Sequence, residues 1–181
     1  DETVILTVTA GTGYSVGSPN TATGTITDDE TATVAFNTAA AVDGAETATP
    51  TAGQFTVTLS TASSTDTTVN YTVGGTATSG SDFTSPGTSV VITAGSTSAT
   101  IDVVVLNDAI VEQTETVTVT LDSVGPGDAN ITVGSPATDS IDITDDDIAT
   151  LSIALATNGA EAGPVNGTLT ITQSAIATTD T

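Results

Sequence analysis

SIDITDDDIATLSI, residues 140–153, joins the end of one β-strand to the beginning of the next. Apolar side chains alternate with polar ones up to Ile143, three adjacent carboxylates follow from Asp145 to Asp147, and a second apolar pattern begins at Ile148. Like charges about 4 Å apart repel by roughly 1 kcal/mol in water and by about 4 kcal/mol at an effective dielectric constant near 20. Because the chain contains no Lys, Arg or His, we expect a cation from outside to neutralise these carboxylates.

The composition restricts the partners that this chain can have. Its 181 residues include 22 Asp plus Glu, and the formal net charge is −22. Nucleic acids and anionic membrane surfaces are bound by basic residues, so neither is an expected partner. No apolar run reaches the length of about 18 residues that a membrane-spanning helix needs. The absence of cysteine excludes disulfides, which leaves bound metal ions as a possible means of stabilisation.

Most of the side chains that catalysis uses are missing. His, Cys and Lys are absent, so a Ser or Thr nucleophile would have no base other than a carboxylate. Pairs of Asp and Glu can act as general acid and base, but clustered carboxylates without counter-charges are better suited to a metal ion. We therefore predict that the protein is not an enzyme.

Internal repetition divides the chain into segments. GQFTVTLSTASSTDT at 53–67 aligns without gaps to GTLTITQSAIATTDT at 167–181, and ITDD at 26–29 recurs at 143–146. The period is about 115 residues, which is the length of a whole domain and not that of a short solenoid repeat. We predict the C-terminal part of a preceding repeat at 1–29, a complete repeat at 30–147 and the N-terminal part of a following repeat at 148–181.

Alternating apolar residues within 30–147 predict seven strands, separated by clusters of Gly, Pro, Asp and Ser. The strands are expected at 32–37, 53–60, 67–74, 88–93, 97–105, 115–122 and 136–144. This spacing is typical of a sandwich, so we predict an all-β fold, a seven-stranded antiparallel immunoglobulin-like sandwich in tandem. A helical turn or two is possible at 39–46. The expected inward face consists of Val34, Phe36, Phe55, Val57, Leu59, Val69, Tyr71, Val73, Val90, Ile92, Ile101, Val103, Val105, Val117, Val119, Leu121, Ile141 and Ile143.

Further acidic residues lie on the turns between these strands. Glu46 lies in DGAE, Asp82 lies in GSDF, and LNDAIVEQTE at 106–115 contains both an Asn-Asp pair and an E-x-x-E spacing. If these turns share one end of the sandwich, the oxygen-bearing side chains converge. Calcium prefers six to eight oxygen ligands, magnesium keeps more of its waters, and zinc favours His or Cys. Calcium is therefore the best match by elimination, with roughly two to four ions; the alternative is that the acidic turns are merely solvated.

The order of these motifs resembles the Calx-β domain, the calcium-binding sandwich of sodium/calcium exchangers, an integrin subunit and large bacterial surface proteins. The resemblance covers all of 30–147. It is carried by FTVTLS, TVNYTVGGTATSGSDFT, ITAGSTSATIDVVVLND, ETVTVTL and VGSPATDSIDITDDD.

The resemblance also implies a set of ligands. Those in the complete repeat would be Glu46, Asp82, Asn107, Asp108, Glu112, Glu115, Asp145, Asp146 and Asp147. Matching positions in the flanking segments are Glu2, Asp28, Asp29, Glu30 and Glu161. Many members carry Asp where this chain has Asn107 and Ala109, which affects the number of ions.

These expectations favour a structural function outside the cell. We predict a calcium-binding repeat of an extracellular stalk, adhesin or filament, in which calcium makes each domain and each joint rigid. The expected partners are neighbouring repeats of the same chain or identical subunits. The alternatives are a regulatory calcium sensor, as in exchangers, and an adhesin with a specific receptor.

Overall fold

A computed structural model describes residues 2–125, 129–163 and 165–178 of this chain. It divides into two compact units, Asp1–Thr31 and Ala32–Thr181. The first unit contains an antiparallel hairpin of β1 (Glu2–Thr7) and β2 (Thr21–Ile26). Val4, Leu6 and Ile26 of this hairpin are exposed.

The second unit contains two five-stranded sheets. Its strands are β3 (Ala32–Phe36), β4 (Gly44–Ala45), β5 (Gly53–Leu59), β6 (Thr67–Gly75), β7 (Phe83–Thr84), β8 (Ser89–Ile92), β9 (Ser98–Val105), β10 (Ile110–Val111), β11 (Glu115–Val124), β12 (Ile131–Val133), β13 (Thr138–Thr144), β14 (Leu151–Thr157), β15 (Thr168–Gln173) and β16 (Ile176–Ala177). One sheet has the order β4-β13-β11-β6-β8 and the other the order β12-β3-β5-β9-β7. The long strands pair antiparallel, whereas the short strands β4 and β12 add parallel to β13 and β3.

The prediction of an all-β sandwich is confirmed. All seven expected strands are present, and each of their ends lies within two residues of its predicted position. The sheets each reach five strands because β4, β7 and β12, which are only two or three residues long, extend their edges. Periodicity needs about four residues to show, so the sequence could not predict these short strands. The expected helical turn at 39–46 is a single 3₁₀ turn at Thr38–Ala40.

One hydrophobic core lies between the two sheets. Alternate residues of β5 and β9 point inward, as period-two patterning requires. The predicted inward face is buried except for Val73 and Val90, which are partly buried and pack against the core. The pattern missed Phe83 and Ile131, which are buried in β7 and β12, because those strands are too short to alternate.

The C-terminal part of the second unit contains a hairpin, β14 and β15, that forms a two-stranded sheet of its own. β14 pairs antiparallel with β15, and the side chains of Leu151, Ile153 and Ile171 are largely exposed. β16 then pairs in parallel with β10, the short strand that follows β9 and precedes β11 in the sequence. The C-terminal segment is thus attached to the sandwich by a ladder as well as by the chain.

Candidate metal centre

The ends of strands from both sheets meet at one end of the sandwich. Glu46 follows β4, and its N–H donates to the carbonyl of Thr144 at the end of β13, over 2.8 Å. Asp82 immediately precedes β7, and its carbonyl accepts the N–H of Leu106, just after β9, over 2.9 Å. Strand pairing therefore brings together residues that are far apart in the sequence.

Three carboxylates form the centre of this end. Glu46, Asp82 and Glu112 each offer one carboxylate oxygen, and these oxygens all lie within 4.8 Å of one another. Glu46 is only 3% exposed and Asp82 only 5% exposed, whereas Glu112 is half-buried. Three acidic groups this close, with no basic side chain anywhere in the sequence, are suited to a cation. We call these three residues the acidic cluster.

Further carboxylates surround the acidic cluster. The Glu115 side chain is hydrogen-bonded to that of Asp82. Asp108 and Asp145 are near enough to act electrostatically on both Glu46 and Glu112. Asp147 is affected electrostatically by Asp145, Asp146 and Asp108. Eight of the nine ligand positions implied for the complete repeat therefore interact electrostatically with at least one other of them, and Asn107 is the ninth.

Backbone N–H groups hold several of these carboxylates in place. Asp145 accepts the N–H of Glu112 on Oδ2 over 2.7 Å and that of Asp147 on Oδ1 over 2.8 Å. Asp108 Oδ1 accepts the N–H of Ile110 over 2.7 Å. The Asp82 carboxylate accepts the N–H of Thr78. Each of these donors occupies one lone pair of a carboxylate oxygen, so further lone pairs on the same groups remain available for a metal ion.

The ionisation of the cluster reflects its crowding. Burial, and then the charges of Glu112, Asp82, Asp108 and Asp145, raise the pKa of Glu46 to about 7. Burial, a hydrogen bond with Asp82 and the charges of Asp82 and Glu112 raise the pKa of Glu115 to about 7. The pKa of Glu112 is raised by burial and by its acidic neighbours. Without a cation, the folded chain thus favours protonation of groups that would be ionised in the unfolded chain at neutral pH.

The joint between β13 and β14 is also crowded. The pKa of Asp147 is raised by burial and by Asp145, Asp146 and Asp108. Asp146 is exposed, and so is Asn107, whose side-chain amide donates to the carbonyl of Asp108 over 3.1 Å. Asp146 acts electrostatically on the Asp147 carboxylate, whereas the hydrogen bond described for Asn107 is to a backbone carbonyl and not to a carboxylate.

The candidate ligands of the flanking segments do not form a comparable cluster. Glu2, Asp28, Asp29 and Glu30 are exposed in the first unit, and Glu161 is exposed beyond β14. Hydrogen bonds from Glu30 lower the pKa of Asp28, and the Glu30 N–H reaches Asp28 Oδ1 over 3.4 Å. Across the ranges that the structure describes, the acidic cluster is the one group of three or more possible ligands this close together.

The donor set fits a hard divalent cation. Every candidate ligand is a carboxylate or amide oxygen, and the sequence supplies neither of the His or Cys ligands that zinc favours. Carboxylates can bind through one oxygen or through two, which suits the larger and less regular coordination of calcium, whereas magnesium demands near-octahedral geometry. The sequence analysis gave these residues as candidate ligands. It could not predict the backbone donors that hold them, such as the N–H of Thr78, because no side-chain pattern marks a backbone donor.

Comparisons with known proteins agree with this architecture. A family model described as the Calx-beta domain matches residues 27–147. The crystal structure of the apo-form Calx CBD1 domain is similar, with a TM-score of 0.54 and 22% identity over 65% of this chain and 100% of that one. The crystal structure of calcium binding domain CBD12 of CALX1.1 gives a TM-score of 0.51 and 22% identity, over 63% of this chain and 44% of that one. No match was found among curated protein sequences.

Proposed function

Because the chain belongs to the Calx-beta family, we propose that its acidic cluster binds calcium and that the protein is a calcium-stabilised structural repeat of an extracellular stalk, adhesin or filament. The observation that carries this proposal is the close approach of Glu46, Asp82 and Glu112, within 4.8 Å at one end of the sandwich. Their carboxylates repel one another, so a divalent cation that binds the folded chain and not the unfolded one stabilises the fold by mass action.

The carboxylates fall into two groups in this proposed function. Glu46, Asp82 and Glu112 would hold the ion, and Glu115, Asp108 and Asp145 would complete the oxygen shell. Calcium supplies the positive charge that the sequence lacks. Because these residues come from β4, β7, β11 and the loops beside them, one bound ion would tie both sheets together at this end.

The exposed apolar faces of the flanking segments support a structural array. By the sequence repeat, Leu151 and Ile171 are equivalent to Val34 and Val57, which are fully buried in the core. In the first unit, Leu6 is equivalent to Val119 in the same way, yet it is 71% exposed. Apolar faces of this kind need a covering sheet, which neighbouring repeats of the same chain or identical subunits would provide.

The location of the protein is also part of the proposal. A net charge of −22 without a basic residue resists non-specific association, which suits a chain at the cell surface, where calcium is abundant. In the described residues, no helix has the length and apolar character needed to cross a membrane. We propose no catalytic activity, because the clustered carboxylates are better placed to bind a metal ion than to act as acid and base.

A regulatory calcium sensor is the second candidate function. It is favoured by the similarity of the fold to that of calcium binding domain CBD12 of CALX1.1. The two functions differ in the affinity that they require. Sensors bind calcium with dissociation constants of about 10⁻⁷–10⁻⁵ M, and extracellular modules bind it at about 10⁻⁴–10⁻³ M. A calorimetric titration of the full chain therefore separates them: a dissociation constant of about 10⁻⁴ M or weaker supports the stalk, and one of about 10⁻⁵ M or tighter supports the sensor.

Thermal unfolding of the full chain tests the calcium function itself. We expect the midpoint in calcium to exceed those in magnesium and in chelator by many degrees, because calcium binds only the folded cluster. Replacing Glu46 and Asp82 together by Gln and Asn should abolish the difference. Asp142→Asn is the matched control, because Asp142 is an exposed acid in β13 outside the cluster. Equal midpoints in all three solutions would refute the function and leave the acidic turns merely solvated.

A further inference from the structure

The ladder between β10 and β16 connects the metal-ligand loop to the C-terminal segment. Ile110 is opposite Ile176 and Val111 is opposite Ala177 in a parallel register. The N–H of Thr178 donates to the carbonyl of Val111 over 3.1 Å. These contacts join residues more than sixty positions apart, so they are tertiary contacts and not part of a local turn.

β10 lies between two acidic residues of the metal centre. Its first residue, Ile110, donates its N–H to Asp108, and the residue after it, Glu112, donates its N–H to Asp145. The backbone that carries these ligands is therefore held on one side by carboxylates and on the other by β16. A shift of β10 along or away from β16 would move both Asp108 and Glu112 relative to Asp145.

The C-terminal hairpin is attached to the centre at two places. The first is the chain itself, which runs from Asp147 into β14. The second is β16, whose position is fixed by the turn before it: Ser174 accepts the N–H of Thr150 on Oγ over 2.9 Å and donates its own N–H to the Thr150 carbonyl over 3.0 Å. One attachment would leave the hairpin free to swing, whereas two attachments define its orientation.

We propose that Ile176–Thr178 is a docking strand that positions the metal-ligand loop, so that calcium binding in one repeat and docking of the following repeat stabilise each other. The mode of contact is strand addition, in which main-chain hydrogen bonds supply the affinity. Coupling between two binding events is reciprocal: an ion that orders Asp108 and Glu112 favours docking at β10, and a docked strand raises the affinity for the ion. This inference rests on the calcium function proposed above.

Substitutions at Thr178 in the full chain test the coupling. Thr178→Pro removes the N–H that donates to the carbonyl of Val111. Thr178→Ala keeps that N–H and is the matched control, because the Thr178 side chain is exposed. We expect Thr178→Pro to weaken calcium binding about three- to tenfold in calorimetric titration, the equivalent of one hydrogen bond, and Thr178→Ala to bind like the parent chain. A chain ending at Ser174 should bind as weakly as the Pro variant.

A distance measurement examines the orientation of the hairpin independently. The sequence has no cysteine, so Ser89→Cys in β8 and Thr170→Cys in β15 provide two exposed sites for spin labels. We expect calcium to narrow the distribution of distances between the labels in the parent chain and in Thr178→Ala, and to leave it broad in Thr178→Pro.

The outcomes distinguish the docking strand from the calcium function. If calcium binds the parent chain and Thr178→Pro with equal affinity, the docking strand has no positioning role and the inference is overturned, while the calcium function stands. If calcium neither binds the parent chain nor narrows its distances, the calcium function fails, and the docking strand fails with it.

Discussion

At the scale of single residues, the main finding is that this chain buries acidic groups without any basic partner. Glu46 is nearly inaccessible and lies within reach of four other carboxylates. Burial penalises a charged carboxylate, and like charges nearby add to the penalty. The cost of this arrangement is present in every calcium-free molecule and is relieved either by a proton or by a cation.

The raised pKa values predict how calcium-free stability depends on pH. Glu46 and Glu115 have pKa values of about 7 in the folded chain, against about 4.3 for an unperturbed glutamate. Between these values the folded state binds more protons than the unfolded state, so the free energy of unfolding falls as pH rises. We expect the thermal midpoint in chelator to drop by several degrees from pH 5 to pH 8.

Glu46→Gln supplies the corresponding variant. Glutamine resembles the protonated acid, so we expect this variant to be more stable than the parent in chelator at pH 8 and to show a weaker dependence on pH. Asp142→Asn should keep the full dependence. A calcium-free midpoint that is the same at pH 5 and pH 8 in the parent would show that the carboxylates are not protonated in the folded state.

At the scale of elements, close approach of strands positions the ligands. β6 ends at Gly75, opposite Val117, and the carbonyl of Thr116 accepts the N–H groups of both Thr76 and Ala77, each over 3.0 Å. Thr116 is the neighbour of Glu115, the ligand candidate that begins β11. The two hydrogen bonds just after the end of β6 therefore hold the first residues of β11 in place.

Gly75 is the residue that permits this approach. Its φ is +117°, and a Cβ there would lie 2.1 Å from the carbonyl oxygen of Thr116. We expect Gly75→Ala to lower the free energy of unfolding by roughly 1–3 kcal/mol, the usual cost of a strained backbone, in urea unfolding of the calcium-loaded chain. Gly74→Ala is the control, because a Cβ at Gly74 would meet nothing within 4 Å. Equal losses at the two positions would contradict this account.

At the scale of the whole molecule, the dominant property is a net charge of −22 without any basic residue. Exposed charges closer than the Debye length, about 10 Å at 0.1 M salt, repel one another in the folded state. The unfolded chain spreads the same charges over a larger volume, so repulsion acts against compactness. Screening by salt and specific binding of calcium are two separate ways to reduce it.

Salt dependence separates these two effects. In chelator, we expect the thermal midpoint to rise by several degrees between low salt and 0.5 M sodium chloride (about 4 Å Debye length), because screening weakens the repulsion. Calcium at about a millimolar, which adds little ionic strength, should raise the midpoint further through mass action. If sodium chloride alone reproduces the full effect of calcium, the cluster is a screened surface and not a binding site.

The sequence by itself determined the sheet content, the inward faces and the repeat. Alternation from Phe55 to Leu59 or from Val117 to Leu121 requires a strand with one buried face, because side chains alternate across a strand. The same reasoning identified the acidic turns, since a chain without basic residues cannot balance them internally. The resemblance to the Calx-β domain then implied Glu46, Asp82 and Glu112 as candidate ligands before any distance between them was known.

Only the tertiary structure decided which of these residues meet and what connects to them. Short strands such as β4 and β7 place Glu46 and Asp82, and two or three residues carry no period that a pattern can show. The pairing of β10 with β16 was equally absent from the pattern, because main-chain hydrogen bonds between distant segments depend on register and not on side-chain type. Periodicity is a local property of the chain, whereas the candidate metal centre and the ladder between β10 and β16 are built from contacts between segments that only the folded sandwich brings together.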